Sequence, residues 1–359
     1  MSSPVAGDVA APRRALAWRR TALFVGLGLA LVVLALVAAG TGQLHVPPAE
    51  VLGSVLHRIG IDVGPLPAHQ HGEQALWSIR FPRVVMAMVV GAALATGGAV
   101  LQGVFGNPLA DPGVVGVSSG AAVGACVVIV TGWAFAGPWT TALLAFVGGL
   151  VATLLVYLTA RTGGRTEVVT LVLTGIAVNA VGGAAVAFLT FLANPQSREE
   201  IVFWQLGSLN GTRWVYVGVA APLVVVGVVA AVLLSHRLDL LALGERPARH
   251  LGVDVERLRL GAVVVVAVLT AAAVAFCGVI GFVGLVVPHL VRMLVGPSHA
   301  VLVPASALGG AVLLVGADLV ARTAVPYADL PIGMLTALVG GPFFFWLIRR
   351  TRRSAGGWA

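Results

Sequence analysis

Few side chains in this sequence could do chemistry, and most of them are arginines or acids at the margins of apolar runs. Asp318 and Arg322 stand four apart in an otherwise apolar stretch, the spacing that puts two side chains on one helical face. An isolated ionised residue in mid-membrane costs about 3 kcal/mol on insertion scales, so Asp318 is expected to pair, with Arg322 its nearest partner. The plain reading is a structural pair at the outer membrane boundary. Leu76-Trp77-Ser78-Ile79-Arg80-Phe81-Pro82-Arg83 sets two more arginines three apart just before a long apolar run. They could anchor the chain to lipid headgroups, beside an interfacial Trp77, or dock an acidic partner, because a guanidinium forks a carboxylate through two parallel bonds. His45, His57, His69 and His71 lie between Thr41 and Phe81. They are of a type that ligates metal or haem, although an ordinary solvated loop accounts for them.

Four further segments combine polar or turn-forming residues with apolar surroundings. Gln102 to Ala121 carries Asn107-Pro108-Leu109-Ala110-Asp111-Pro112 among several glycines, a composition that describes a rigid re-entrant turn. Irregular backbone of this kind survives at a membrane only when it is buried in protein or lines water. Gly175, Asn179, Gly183 and Thr190 fall near one stripe of an apolar helix. That stripe suits close helix packing, and its Asn also suits the wall of a translocation path. The polar stretch His236 to Arg259 is predicted to form two short surface helices joined by a turn. Its Leu240, Leu241, Leu243 and Leu251 suit insertion into a soluble partner's groove. Gly281-Phe282-Val283-Gly284-Leu285 runs on to Pro288-His289 and Arg292 within a short apolar run. No G-x-x-x-x-G-K-[ST] phosphate loop occurs anywhere in the chain.

The elements that position these residues follow from composition. The chain has 359 residues, 58% hydrophobic and only 10% charged. A soluble chain carries about 25% charged residues, so a soluble multidomain enzyme is excluded, and so are disordered and fibrous classes. Long continuous apolar runs also exclude the alternating strands of an outer-membrane barrel. About 208 apolar side chains, at about 20 per span, make about ten spans. They are placed near 21–40, 84–105, 116–132, 140–160, 168–193, 215–235, 260–278, 280–295, 302–321 and 331–348, flanked by tails 1–20 and 349–359. The division between the seventh and eighth is the least distinct. The net charge of +8 comes from 22 arginines without a lysine. Sixteen of these arginines fall on the side of the termini and six opposite, which places both termini in the cytoplasm and reads as topology charge, not as a nucleic-acid surface. Arg19-Arg20 before an apolar run resembles a twin-arginine export signal, but the run is longer than a signal's apolar core and nine spans follow it. Cys126 and Cys277 sit inside apolar stretches as small buried hydrophobes.

In this order the segments resemble the FecCD family of permeases, the membrane subunits of type II ABC importers for iron-siderophores, haem and cobalamin. Four motifs carry the resemblance: Ile79-Arg80-Phe81-Pro82-Arg83; Asn107-Pro108-Leu109-Ala110-Asp111-Pro112; Leu243-Gly244-Glu245 with Ala248 and Leu251-Gly252; and Gly281-Phe282-Val283-Gly284-Leu285 with Pro288-His289. It extends over roughly residues 20 to 350. It implies an all-α, ten-helix permease fold, 21–348, paired with a second copy of itself in a bacterial cytoplasmic membrane. It further implies two cytoplasmic ATPase subunits that carry ATP and Mg, and an external substrate-binding protein. No permanently bound cofactor or metal is expected in the chain itself. By resemblance, Leu243, Gly244, Glu245, Ala248, Leu251 and Gly252, within 236–259, form coupling helices seated in the ATPase. Arg80, Arg83 and Arg322 match positions that face glutamates of the binding protein.

The stretch Asp111-Pro112-Gly113-Val114-Val115-Gly116-Val117-Ser118 looks more like the haem and cobalamin branch than the siderophore members. Haem is therefore the favoured cargo, a ferric siderophore the main rival and cobalamin the next. Two other classes compete. An ion-coupled secondary transporter needs intramembrane acids, and Asp318 is the one acid clearly within a span. A membrane scaffold or receptor would move nothing.

Overall fold

The computed structural model describes residues 10–163 and 165–354. The chain order is α1 (Ala10–Gly40), α2 (Pro48–Arg58), α3 (Gly72–Ala75), a π turn (Leu76–Arg80), α4 (Phe81–Phe105), α5 (Val117–Thr131), α6 (Thr140–Thr159), α7 (Val168–Leu192), α8 (Pro195–Leu206), α9 (Trp214–Leu241), α10 (Glu245–His250), α11 (Val255–Cys277), α12 (Val283–Val295), α13 (His299–Ala321) and α14 (Ile332–Ser354). A two-residue antiparallel ladder, Arg161–Thr162 against Arg165–Thr166, turns the chain between α6 and α7. Seven helices, α1, α4, α6, α7, α9, α11 and α13, are long and apolar enough to cross a membrane. Three shorter apolar helices, α5, α12 and the first part of α14, complete the ten expected spans.

Several boundaries differ from expectation. The tail 1–20 is already helical from Ala10, and the tail from 349 stays helical to Ser354; residues 1–9 and 355–359 lie outside the described residues. The indistinct seventh division is real: α11 ends at Cys277, Gly278 takes φ +69 and four more residues run irregularly to α12. Only one short helix, α10, occupies 236–259, because Leu238 and Leu241 are buried and hold residues 236–241 in the last turns of α9. Likewise, the side chain of Asp254 caps Arg257 N and starts α11 early. Leu243 and Leu251 remain exposed beside α10, whereas Leu241 faces the core.

The core is α4. It is apolar all round and buried along most of its length, as a helix without a polar face must be, and it packs against α9, α11, α12 and α13. Without a hydrophobic drive between helices in lipid, such contacts depend on close van der Waals approach through small residues. A Cβ on Gly91 would come within 2.1 Å of Gly310 O, and one on Gly310 within 2.1 Å of Gly91 O. Gly98 sits 1.9 Å, by the same measure, from Gly284 O. The backbones of α4, α12 and α13 therefore touch directly. By contrast α1 and α7 keep wide apolar faces uncovered, with Leu29, Val32, Val169, Val181, Phe188 and Phe191 exposed.

Gly310→Val should drive α4 and α13 apart. The expected loss is about 1–3 kcal/mol of stability, read as a lower unfolding midpoint in detergent, while Gly183→Val, where a Cβ would meet nothing within 4 Å, should leave the midpoint nearly unchanged.

Candidate functional site

Polar side chains gather at the two ends of the apolar bundle. At the end formed by the C-termini of α1 and α13, Asp318 is 1% exposed and lies between two arginines. Arg83 Nε donates to Asp318 Oδ1 at 2.9 Å and Arg83 Nη1 donates to Asp329 Oδ2 at 2.7 Å. Arg322 Nε stands 3.5 Å from Asp318 Oδ2. The expected Asp318–Arg322 pair is thus present, but the closer partner is Arg83, on α4. Arg322 also donates to Thr41 O at 2.9 Å and to Ala38 O. Arg80 donates to Ala39 O at 2.7 Å, Gly40 O at 3.1 Å and Leu44 O. These carbonyls belong to the last turn of α1 and the turn after it, where a cation is favoured.

The π turn Leu76–Arg80 leads into α4, where Arg80 and Arg83, three apart, share one face; both are buried, while Ile79 is 62% exposed. Trp77 Nε1 donates to Ser54 Oγ, its ring meets Phe81 edge-on and Arg58 lies over it at 5.1 Å. The four histidines of this end do not converge: among the described residues no group of three or more metal-ligating side chains exists. His57 is bonded to Gly53 O, and His69 and His71 lie 5.9 Å apart, ring centre to ring centre.

The re-entrant turn is built from its own side chains. Gly106 closes α4 with φ +59, Asn107 Oδ1 accepts from Leu109 N at 2.9 Å and Asp111 Oδ1 accepts from Gly113 N at 2.8 Å. Pro108 follows Asn107, and Pro112 opens a single 3₁₀ turn ending at Val115. Burial pushes the Asp111 carboxyl above the ordinary carboxylate range, opposed by the Gly113 amide. The stripe on α7 divides in two. Gly175 packs against Val114 O, and Asn179 donates to Gly113 O at 3.0 Å while accepting from Ser119 Oγ at 2.7 Å, so both clamp the re-entrant turn. Gly183 is open, and Thr190 bonds back to Val186 O within its own helix.

At the opposite end α10 projects between α9 and α11. Gly244 takes φ +109, a conformation that suits glycine, and the next residue starts the helix. Glu245 accepts from Arg259 Nη2 and, at 3.3 Å, from Arg249 Nη2; Arg259 also donates to Thr166 O at 2.9 Å. Ala248 is fully buried and Val253 N closes back onto Ala248 O, while Leu251 and Gly252 form the outer turn. Nearby, Asp239 accepts from His299 N at 2.6 Å and from His299 Nδ1 at 2.7 Å. Asp329, Arg259 and the Asp239–His299 pair are contacts that sequence reasoning missed. The unpaired look of Asp239 beside an apolar helix was the only local signal, and it did not name the partner 60 residues on.

The FecCD transport family model matches residues 29–350. The chain is 44% identical over 292 residues to the hemin transport system permease protein HmuU of Yersinia pestis, covering 79% of this chain and 86% of that protein. It is 40% identical to the cobalamin import system permease protein BtuC of Halobacterium salinarum, covering 94% and 97%. To the Fe(3+) dicitrate transport system permease protein FecD of Escherichia coli it is 38% identical, covering 93% and 100%. A solved inward-facing metal-chelate type ABC transporter superposes with TM-score 0.80 at 33% identity, covering 92% of this chain and 99% of that one.

Asp318→Asn should strand two cations in a low-dielectric site. The expected cost is about 3–5 kcal/mol, seen as a lower unfolding midpoint in detergent. Asp329→Asn, at the more exposed acid, should lower it by less than about 1 kcal/mol.

Proposed function

The chain belongs to the FecCD transport family, and on that premise we propose that it moves haem inward across a bacterial cytoplasmic membrane as one of two identical permease subunits of an ABC importer. The single observation that carries the haem reading is the 44% identity to a hemin transport permease, joined by the Asp111-Pro112-Gly113-Val114-Val115-Gly116-Val117-Ser118 turn. A ferric chelate or cobalamin is the second reading, favoured by near-complete coverage of a cobalamin and a ferric dicitrate permease.

The arginine distribution supports cytoplasmic termini, which puts α10 inside and the Asp318 network outside. The second copy would cover the open apolar face of α7, with Gly183 and Thr190 towards the path and Gly175 and Asn179 fixing that wall to the re-entrant turn. Two ATPase subunits, holding ATP and Mg, would seat Leu243, Gly244, Glu245, Ala248, Leu251 and Gly252. In this arrangement the exposed Leu243 and Leu251 make contact, while Glu245 and Ala248 hold the helix to Arg259 and the bundle. The external binding protein would dock at the end carrying Arg80, Arg83 and Arg322. With their guanidinium groups turned inward, these residues shape the Thr41–Leu44 turn and the Asp329 loop that the partner meets.

Alternating access then follows from linkage: ATP binding and hydrolysis move the coupling segment, and that shift is felt at the far end because one bundle connects the two. The test is ATP-dependent uptake by the reconstituted complex, offered haem, a ferric siderophore and cobalamin in turn. Haem uptake alone supports the reading; uptake of only another ligand replaces the cargo, and uptake that stops on proton-gradient collapse with ATP intact replaces the class. Leu243→Glu should abolish ATP-driven uptake without lowering the chain's membrane yield. Glu245→Arg is a less selective variant, since it also sets two cations, Arg259 and Arg249, against a third.

A further inference from the structure

A cavity of about 510 Å³ opens at the α10 end, lined by Gln102, Gly244, Glu245, Arg259, Arg292 and His299 among others. Its polar groups are unevenly served. Arg292, in the last turn of α12, makes no ion pair and no side-chain hydrogen bond among the described residues. Its position favours the helix dipole, and its donors keep access to solvent. Arg259 Nε also lacks a partner, although the rest of that guanidinium is engaged by Glu245, Glu256 and Thr166. Two acceptors are left over as well. Gln102 is 2% exposed and its Oε1 is unpaired, while its Nε2 makes only long contacts of 3.3–3.4 Å. His299 is 5% exposed; Asp239 holds its Nδ1, and its Nε2 is unpaired.

Gln102 Oε1, Arg259 Nε and His299 Nε2 are closed off from solvent, so an occupant of the cavity meets Arg292 instead. A carboxylate is the group that a guanidinium forks through two parallel bonds. The mouth of the cavity shares Gly244 and Glu245 with α10, and Arg246 on the same helix is exposed without an ion pair, so the surrounding charge also favours an acid.

We propose that this cavity receives an acidic side chain of the cytoplasmic ATPase subunit, with Arg292 as its ionic anchor. The inference rests on the importer reading and adds to it a second contact, distinct from the leucines of the coupling segment. The lysine variant Arg292→Lys keeps the charge; Arg292→Gln removes it and keeps an amide.

The experiment measures binding of the purified cognate ATPase subunit to the full chain in nanodiscs of neutral lipid, across a range of salt. Arg292→Gln should weaken binding by about tenfold or more at low salt, flatten the salt dependence and leave the unfolding midpoint unchanged, and Arg292→Lys should restore most of the affinity. Equal affinity of wild type and Arg292→Gln overturns the proposal while leaving the importer reading intact. So does a loss that Arg292→Lys fails to recover and that comes with a lowered midpoint, or a wild-type affinity that needs anionic lipid or is abolished by inorganic phosphate. A wild-type chain that binds no ATPase overturns both readings.

Discussion

A carboxylate enclosed in an apolar bundle must be neutralised where it lies, and Asp318 imposes that constraint on this structure. Its partners come from α4 and from the end of α13, and each partner is further committed: Arg83 to the loop before α14, Arg322 to the end of α1. One buried acid thus determines where four separate segments meet. The neighbouring Arg80 extends the same arrangement to the turn after α1. Removing a partner from such a group is far more damaging than its net contribution suggests, because the remaining charges have no water to return to.

The helices were legible because their signal is local. Ten apolar runs appear in the sequence, and ten helices stand close to them, with the largest surprise in the polar stretch 236–259, where buried Leu238 and Leu241 outweighed the glycine and charge pattern. The candidate sites were legible in part. Asp318 announced the need for a partner, and spacing offered Arg322, but the closer ion pair spans 235 positions to Arg83, and no periodicity reports such a distance. The arginines at 80 and 83 were readable as a motif, though not as inward-facing, since that depends on carbonyls and carboxylates far along the chain. Asn179 was readable as the polar member of an apolar stripe, but its partners, Gly113 and Ser119, were not, because they offer only a backbone carbonyl and a hydroxyl.

The two polar ends differ in character. One is closed upon itself, with carboxylates and guanidinium groups paired to one another and to carbonyls of α1, although Asp318 Oδ2 and Arg322 Nε have no hydrogen-bond partner among the described residues. The other keeps exposed leucines beside α10 and an exposed arginine on it. Exposed apolar side chains beside an unpaired cation give the second end the composition of a contact surface.

The direct meeting of backbones at Gly91, Gly310, Gly98 and Gly284 has a mechanical consequence. Where two main chains touch with no side chain between, neither helix can roll about its axis without forcing the other away. Hence α4, α12 and α13 form one stiff block, and the equally close approach of Gly175 to Val114 O ties α7 to the turn that precedes α5.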